Sequence, residues 1–236
     1  MIKFADDTTM EGLIRNNDET AYRLEINELE RWCSNNNLEL NVGKTKEMVI
    51  DFRKIKSNDI TPVIINGVDV EQVKFFKFLG LTLSDDLSWE EHCTIVARKA
   101  QQRLYFLRQL KKFRARKELL LQFYRATVES VLTFSISTWF CSSSQEDKDR
   151  LEKVVTTARK IVGCDLPSLQ SLYNERATKR ALKILADPMH PANSLFKSMR
   201  SGRLREIKTR TARFHDSFFP SAIRLINKCY NRRKDS

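Results

Sequence analysis

Apolar positions change their spacing once along this chain, near residue 88. Before that point they come in short runs broken by Asn, Gly and Asp; after it they recur every three or four residues over long stretches. In the first part, Asp18 reads as an N-cap with an acidic first turn for a helix over 19–35. Tyr22, Ile26, Leu29 and Cys33 form its apolar face, with Trp32 beside them, and Asn35-Asn36-Asn37 ends it. Leu38 to Val42 alternates, Gly43 breaks the alternation, and Met48-Val49-Ile50-Asp51-Phe52 reads as a buried strand. Val63-Ile64-Ile65, Asn66-Gly67 and Val68-Asp69-Val70 together predict a hairpin, because Asn-Gly accepts the positive φ of a type I′ turn. Phe75 to Leu83, interrupted by Gly80, reads as a further apolar strand or hairpin.

From Trp89 onward the spacing is helical. Val96, Ala100, Leu104, Leu107 and Leu110 make one stripe, with Arg98, Lys99, Arg108, Lys111 and Lys112 mostly on the remaining faces. Leu120, Phe123, Tyr124, Thr127, Val131 and Phe134 predict a second helix, apolar nearly all round and central to a bundle. Ser144-x-x-Asp147 resembles a capping box opening a third helix with Leu151, Val154, Val155, Ala158, Ile161 and Val162, and Gly163 is its expected C-cap. A fourth helix covers about 169–185, and an amphipathic piece around 218–226 follows a basic segment over 200–213. The expected fold class is α+β: a small antiparallel sheet with one or two helices over residues 1–88, then an all-α bundle over 89–236.

Hydrophobic content of 41% in 236 residues is that of a globular chain with a sizeable core. No apolar run reaches the ~18 residues a membrane span needs, so no membrane partner is expected. The N-terminus carries neither the basic nor the apolar region of a secretory signal. Five scattered cysteines, with no Cys-x-x-Cys, suit reduced thiols and hence an intracellular location, nucleus or cytoplasm.

Charge sharpens the division. Residues 1–95 hold 11 Lys/Arg against 18 Asp/Glu, a balance of −7, and the remaining 31 Lys/Arg against 12 Asp/Glu give +19 to 96–236. A strongly basic helical part suits a polyanion such as nucleic acid, or else a merely solvated basic surface. The second concentrated feature is Asp6-Asp7, between apolar Ile2 and Phe4 and the Thr8 to Met10 run. On a solvated loop an Asp pair is unremarkable; at the tip of a tight hairpin two hard oxygen ligands suit Mg²⁺. Glycines form no phosphate-cradling loop, and Lys44-Thr45-Lys46 after Gly43 is not a Walker A motif.

In combination these residues resemble a known family. Phe4-Ala5-Asp6-Asp7-Thr8, then Trp32-Cys33, Leu40-Asn41-Val42-x-Lys44-Thr45-Lys46-x-Met48 and Phe78-Leu79-Gly80-Leu81 follow the order and spacing of non-LTR (LINE-type) retrotransposon reverse transcriptases. The likeness continues through 99–108, Phe123-Tyr124-Arg125, Leu166-Pro167-Ser168-Leu169 and Asp187-Pro188-x-His190-Pro191. It implies the C-terminal end of the palm followed by the thumb of an RNA-directed DNA polymerase. Asp6 and Asp7 then match the palm aspartates that hold catalytic Mg²⁺ for nucleotidyl transfer in a two-metal mechanism. Lys44 or Lys46, with Lys44 preferred, falls where the family places a lysine acting on the pyrophosphate. Phe78, Leu79 and Gly80 match the primer-grip hairpin. The basic helices, through Arg98, Lys99, Arg103, Arg108, Lys111 and Lys112, would track an RNA–DNA or DNA duplex and its RNA template by phosphate contacts. The family also uses a further palm aspartate and nucleotide-gripping fingers, which would precede residue 1. The expectation is therefore a fragment inactive by itself, and the alternative is a non-catalytic basic helical nucleic-acid-binding module.

A second resemblance covers the helical stretch around Trp89 to Leu132, which is similar to a short N-terminal segment of the AlkB-homologue tRNA-modifying dioxygenase and methyltransferase family. The chemistry of that family needs a His-x-Asp…His iron triad. His92, His190 and His215 are followed two residues on by Thr94, Ala192 and Ser217, so the resemblance implies a helical segment and not that activity.

Overall fold

The computed structural model describes residues 1–4, 7–53 and 60–234. The chain divides into two compact units, Met1–Phe78 with Ser84–Leu87, and Leu79–Leu83 with Ser88–Ser236. The architecture is α+β, with small two-stranded sheets early and helices late. No helix among the described residues is long and apolar enough to cross a membrane.

In the first unit, β1 (Ile2–Phe4) pairs antiparallel with β2 (Asp7–Thr9), Phe4 opposite Asp7. The helix α1 (Thr20–Asn35) has Glu19 as its N-cap, one residue past the expected Asp18, and no acidic residue in its first turn, but Asp18 Oδ1 still accepts the Thr20 N–H at 3.0 Å and satisfies one orphan donor. Its buried positions Ile26 and Cys33 lie on the face that periodicity predicts. Ile26 packs with Val63, Ile65 and Val70 in a small core that Tyr22, Leu40 and Val42 extend. Strands β4 (Ile64–Ile65) and β5 (Val68–Asp69) form the expected hairpin, with Asn66 at φ 52° and Gly67 at φ 75°.

Two expectations for this unit change. No strand forms over 48–52: Ile50 and Phe52 are exposed, and Asp51 turns its carboxylate onto the Arg53 backbone N–H at 2.9 Å and guanidinium at 2.8 Å. Local side-chain bonds of this kind compete with a ladder. The strand is instead β3 (Lys46–Glu47), and it pairs parallel, not antiparallel, with β6 (Glu71–Gln72). The buried Glu47 carboxylate supports that crossover by accepting the Val63 N–H at 3.2 Å and the Gln72 side-chain amide at 3.0 Å.

The chain then passes through β7 (Phe75–Phe78) and β8 (Leu81–Ser84), with Leu79 and Gly80 both at positive φ in the turn. In the second unit α2 (Glu90–Lys112) buries Val96, Ala97, Ala100, Leu104 and Leu107 and packs along α6 (Gln145–Val162). Ser144 caps α6 as the sequence predicts: its Oγ accepts the Asp147 N–H at 3.1 Å and donates to Asp147 Oδ2 at 2.7 Å. Gly163 ends that helix at φ 76°. Helix α7 (Leu169–Ala186) follows its own cap, Ser168.

The single helix expected over 120–134 is interrupted. It runs as α3 (Lys117–Phe123), a π turn (Tyr124–Glu129) and α4 (Ser130–Leu132), before Ser135 at φ 47° and the short α5 (Ile136–Trp139). Leu120, Tyr124, Val128 and Leu132 are buried at intervals of four, a spacing that would drift around a regular helix and that one widened turn holds on the core. Thr127, Ser130 and Thr133 each bond back to the carbonyl four residues earlier, at 2.7 Å, which loosens the regular ladder there. After 3₁₀ and irregular turns come α8 (Ala212–His215) and α9 (Phe218–Lys234). Ala222 and Ile223 close a second core with Ala181, Ile184, Phe196 and Leu204.

Candidate nucleic-acid interface

Of the Asp pair, Asp6 lies outside the described residues, and Asp7 is exposed on β2. The hairpin's first strand is held to α1 by Lys3, whose ammonium lies 5.0 Å from the Trp32 ring centroid. Among the described residues no group of three His, Cys, Asp or Glu side chains is placed to hold a metal ion. One described carboxylate falls far short of the octahedral oxygen set that Mg²⁺ demands, so the described residues do not by themselves fit the ion.

Lys44 is exposed in a turn, where its N–H meets the Asn41 backbone and side-chain oxygens at 3.1 Å. Lys46 pairs with Glu71, an ion pair that belongs to the β3–β6 connection. Phe78 ends β7, and the Leu79-Gly80 turn carries Gly80 against Phe134: a Cβ at Gly80 would stand 2.9 Å from that ring.

The six basic positions on α2 are brought together by the helix itself. Arg98, Arg108 and Lys112 share one exposed face with Gln101 and Tyr105, at spacings of three, four, three and four residues. Lys99 is exposed one position on, and Lys111 is exposed in the last turn, where a cation also complements the helix C-terminus. Arg103 differs from the others. It is half-buried, and its Nη1 donates to the Thr127 carbonyl at 2.6 Å, bridging α2 to the π turn.

Sequence reasoning left out what lies between these cations. Tyr105 and Phe106 are more than half exposed and meet edge to face, centroids 5.5 Å apart. Phe113, which caps α2, is 79% exposed. A groove of about 650 Å³ runs between α2 and α3 with its π turn, lined by Phe106, Phe113, Leu119, Phe123 and Arg103 among others. The sequence did hold a signal: residues 92–117 contain nine Lys or Arg and no Asp or Glu.

A second feature of α2 faces inward. His92 is buried between Trp89 and Trp139, with ring centroids at 5.7 and 5.2 Å, and its Nδ1 accepts the Thr82 N–H at 3.3 Å. Burial first, and then the Lys99 charge, push its pKa down to about 4. Neighbouring Cys93 is buried against Ser143, and burial pushes its thiol up to about 11, far from a reactive thiolate.

One family model matches this region. It is described as the N-terminal part of alkylated DNA repair protein alkB homolog 8, and it matches residues 89–130, which span α2, α3 and the π turn. The likeness is to that helical segment alone. Neither a curated protein nor a solved structure matches the chain.

Proposed function

We propose that the helical unit is a nucleic-acid-binding module that grips the backbone of an RNA–DNA or DNA duplex through the solvent face of α2, as the thumb of a LINE-type reverse transcriptase would. The observation that carries this reading is the acid-free run over 92–117, whose cations Arg98, Arg108 and Lys112 stand in one row on a helix rigidly packed along α6. A row of cations without interspersed carboxylates repels nothing on a phosphate backbone and releases counterions on binding. The ordered motif resemblance from Phe4 to Pro191 supports the retroelement assignment. The match of 89–130 to an N-terminal segment of an alkylated DNA repair protein is in keeping with a helical pair that faces nucleic acid.

Fluorescence anisotropy with a blunt RNA–DNA hybrid across a salt series tests this. For about five phosphate contacts the slope of log K against log salt is expected near −4.5. Replacing Arg98, Arg108 and Lys112 together by Glu abolishes binding. Affinity that ignores both salt and the triple replacement overturns the reading.

A second reading is favoured by Asp7, exposed at the start of β2 opposite Phe4. On this reading Asp6 and Asp7 would be two carboxylates of a nucleotidyl-transfer site for Mg²⁺ that needs a further aspartate from an earlier palm strand, with Lys44 as the pyrophosphate lysine and the Phe78, Leu79 and Gly80 hairpin at the primer. Primer extension on a homopolymer template decides it, alone and with a palm-and-fingers segment supplied. Incorporation that Asp6→Ala abolishes supports a live site; none in either arrangement leaves the binding module.

A further inference from the structure

We infer that the groove between α2 and the α3–π segment is a seat for an unpaired nucleobase, so that the preferred ligand is a duplex carrying a single-stranded overhang and not a blunt one. The inference rests on the nucleic-acid reading above and deepens it.

Three aromatic side chains lie open among exposed cations and the amides Gln101 and Gln102, with Leu119 also half exposed nearby in the chain. Tyr105 and Phe106 are 55% and 56% exposed, and Phe113 is 79% exposed. Leaving rings of this size in water forgoes a large burial term, so an exposed aromatic group on a rigid helix marks a contact surface. Phe106 and Phe113, the C-cap residue of α2, are seven residues apart, about 10 Å along the helix axis. Both line one wall of the groove, while Leu119 and Phe123 floor the other side. At about 650 Å³ the cavity is within the size range of a small-ligand site, ample for a planar base.

The surroundings choose among apolar occupants. Along the chain Lys99 and Arg108 lie on either side of the aromatic pair, Arg114, Arg116 and Lys117 outnumber the one carboxylate, Glu118, between Phe113 and Leu119, and Arg103 is the cation that lines the groove itself. A neutral apolar peptide gains nothing from such a rim, whereas an unpaired nucleotide uses every part: its base stacks on a ring face and its phosphates meet the cations. A base inside a duplex has its faces covered by neighbours and cannot enter. The row Arg98, Arg108, Lys112 thus holds the double-stranded part, and the groove one position round the helix takes the first unpaired base.

The test compares a blunt hybrid with the same hybrid bearing a short overhang that carries 2-aminopurine, measuring affinity and 2-aminopurine fluorescence on the intact chain. The overhang is expected to bind about tenfold tighter, the size of one stacked base, with the fluorophore quenched. Phe106→Ala with Phe113→Ala removes that advantage and leaves blunt-duplex affinity unchanged. Phe106→Leu, which keeps a large apolar side chain but not the ring face, loses most of the quenching, and far-ultraviolet circular dichroism checks that each variant is folded. Equal affinity for both ligands with unchanged fluorescence overturns the base seat while the duplex reading stands. Failure of both ligands to bind at low salt overturns the two together. Displacement of the overhang by an acidic amphipathic peptide, with no quenching by nucleic acid, assigns the groove to a protein helix and overturns the inference.

Discussion

Arg103 reaches from α2 to the carbonyl of Thr127 at 2.6 Å, and so the most central of the six α2 cations is spent inside the protein. That carbonyl belongs to the π turn, where it also accepts the Ser130 hydroxyl in a longer bond of 3.3 Å. A guanidinium is suited to the exposed carbonyl because it brings several donors in a fixed plane.

Arg103 and Arg108 should therefore behave as opposites. Arg103→Ala leaves a half-buried carbonyl without its charged donor, costing ~2 kcal/mol of stability, and lowers the thermal midpoint. Arg108→Ala leaves the midpoint unchanged and reduces the salt slope of duplex binding by about one. Thermal melts and salt titrations of the two variants check both halves.

Gly80 is expected to tolerate no side chain. Its φ of 86° is strained for any L residue, and a Cβ would meet Phe134 at 2.9 Å. Since Phe134 is half exposed, its ring can swing aside, so the backbone strain is the larger part. Gly80→Ala should cost ~1–2 kcal/mol, and adding Phe134→Ala should recover less than half of that. A double-mutant cycle by denaturant unfolding measures the split.

His92 gives the second unit an acid limb. Its folded pKa of about 4 lies below the ordinary 6.5, so the unfolded chain binds the proton more tightly. The stability it permits is therefore complete above about pH 6.5 and is lost as pH falls toward 4, by up to ~3 kcal/mol. Thermal midpoints from pH 7 to 4 should decline across that window. His92→Gln, which retains an acceptor for the Thr82 N–H but does not titrate, should flatten the decline.

Glu47 is expected to be the most sensitive position of the first unit. Glu47→Ala strips partners from the Val63 N–H and the Gln72 amide and should cost ~2 kcal/mol. Amide exchange at Val63 should accelerate accordingly, and Glu47→Gln, which keeps an acceptor oxygen, should restore most of the protection.

Features read correctly from the sequence are those set by neighbours along the chain. Asn66-Gly67 specifies its turn because both residues tolerate positive φ, Ser144 and Gly163 bound their helix because capping is a matter of a few bonds, and the α2 stripe follows from helical period. The basic balance of residues 96–236 was equally plain, since charge needs no fold to be counted.

What only tertiary structure decided depends on partners far apart in sequence. The apolar run 48–52 looked like a strand, but the parallel edge of β6 was taken by Lys46–Glu47, and Asp51 turned to Arg53 instead. The stripe 120–134 looked like one helix, yet the residues that the structure buries, Leu120, Tyr124, Val128 and Leu132, are spaced by four and run through a π turn, whose Thr127 carbonyl holds Arg103. Spacing alone cannot separate a cation that faces solvent from one that a distant carbonyl has captured. Nor can it tell a core phenylalanine from Phe106 and Phe113, because burial is settled by what packs on a surface and not by the residue that forms it.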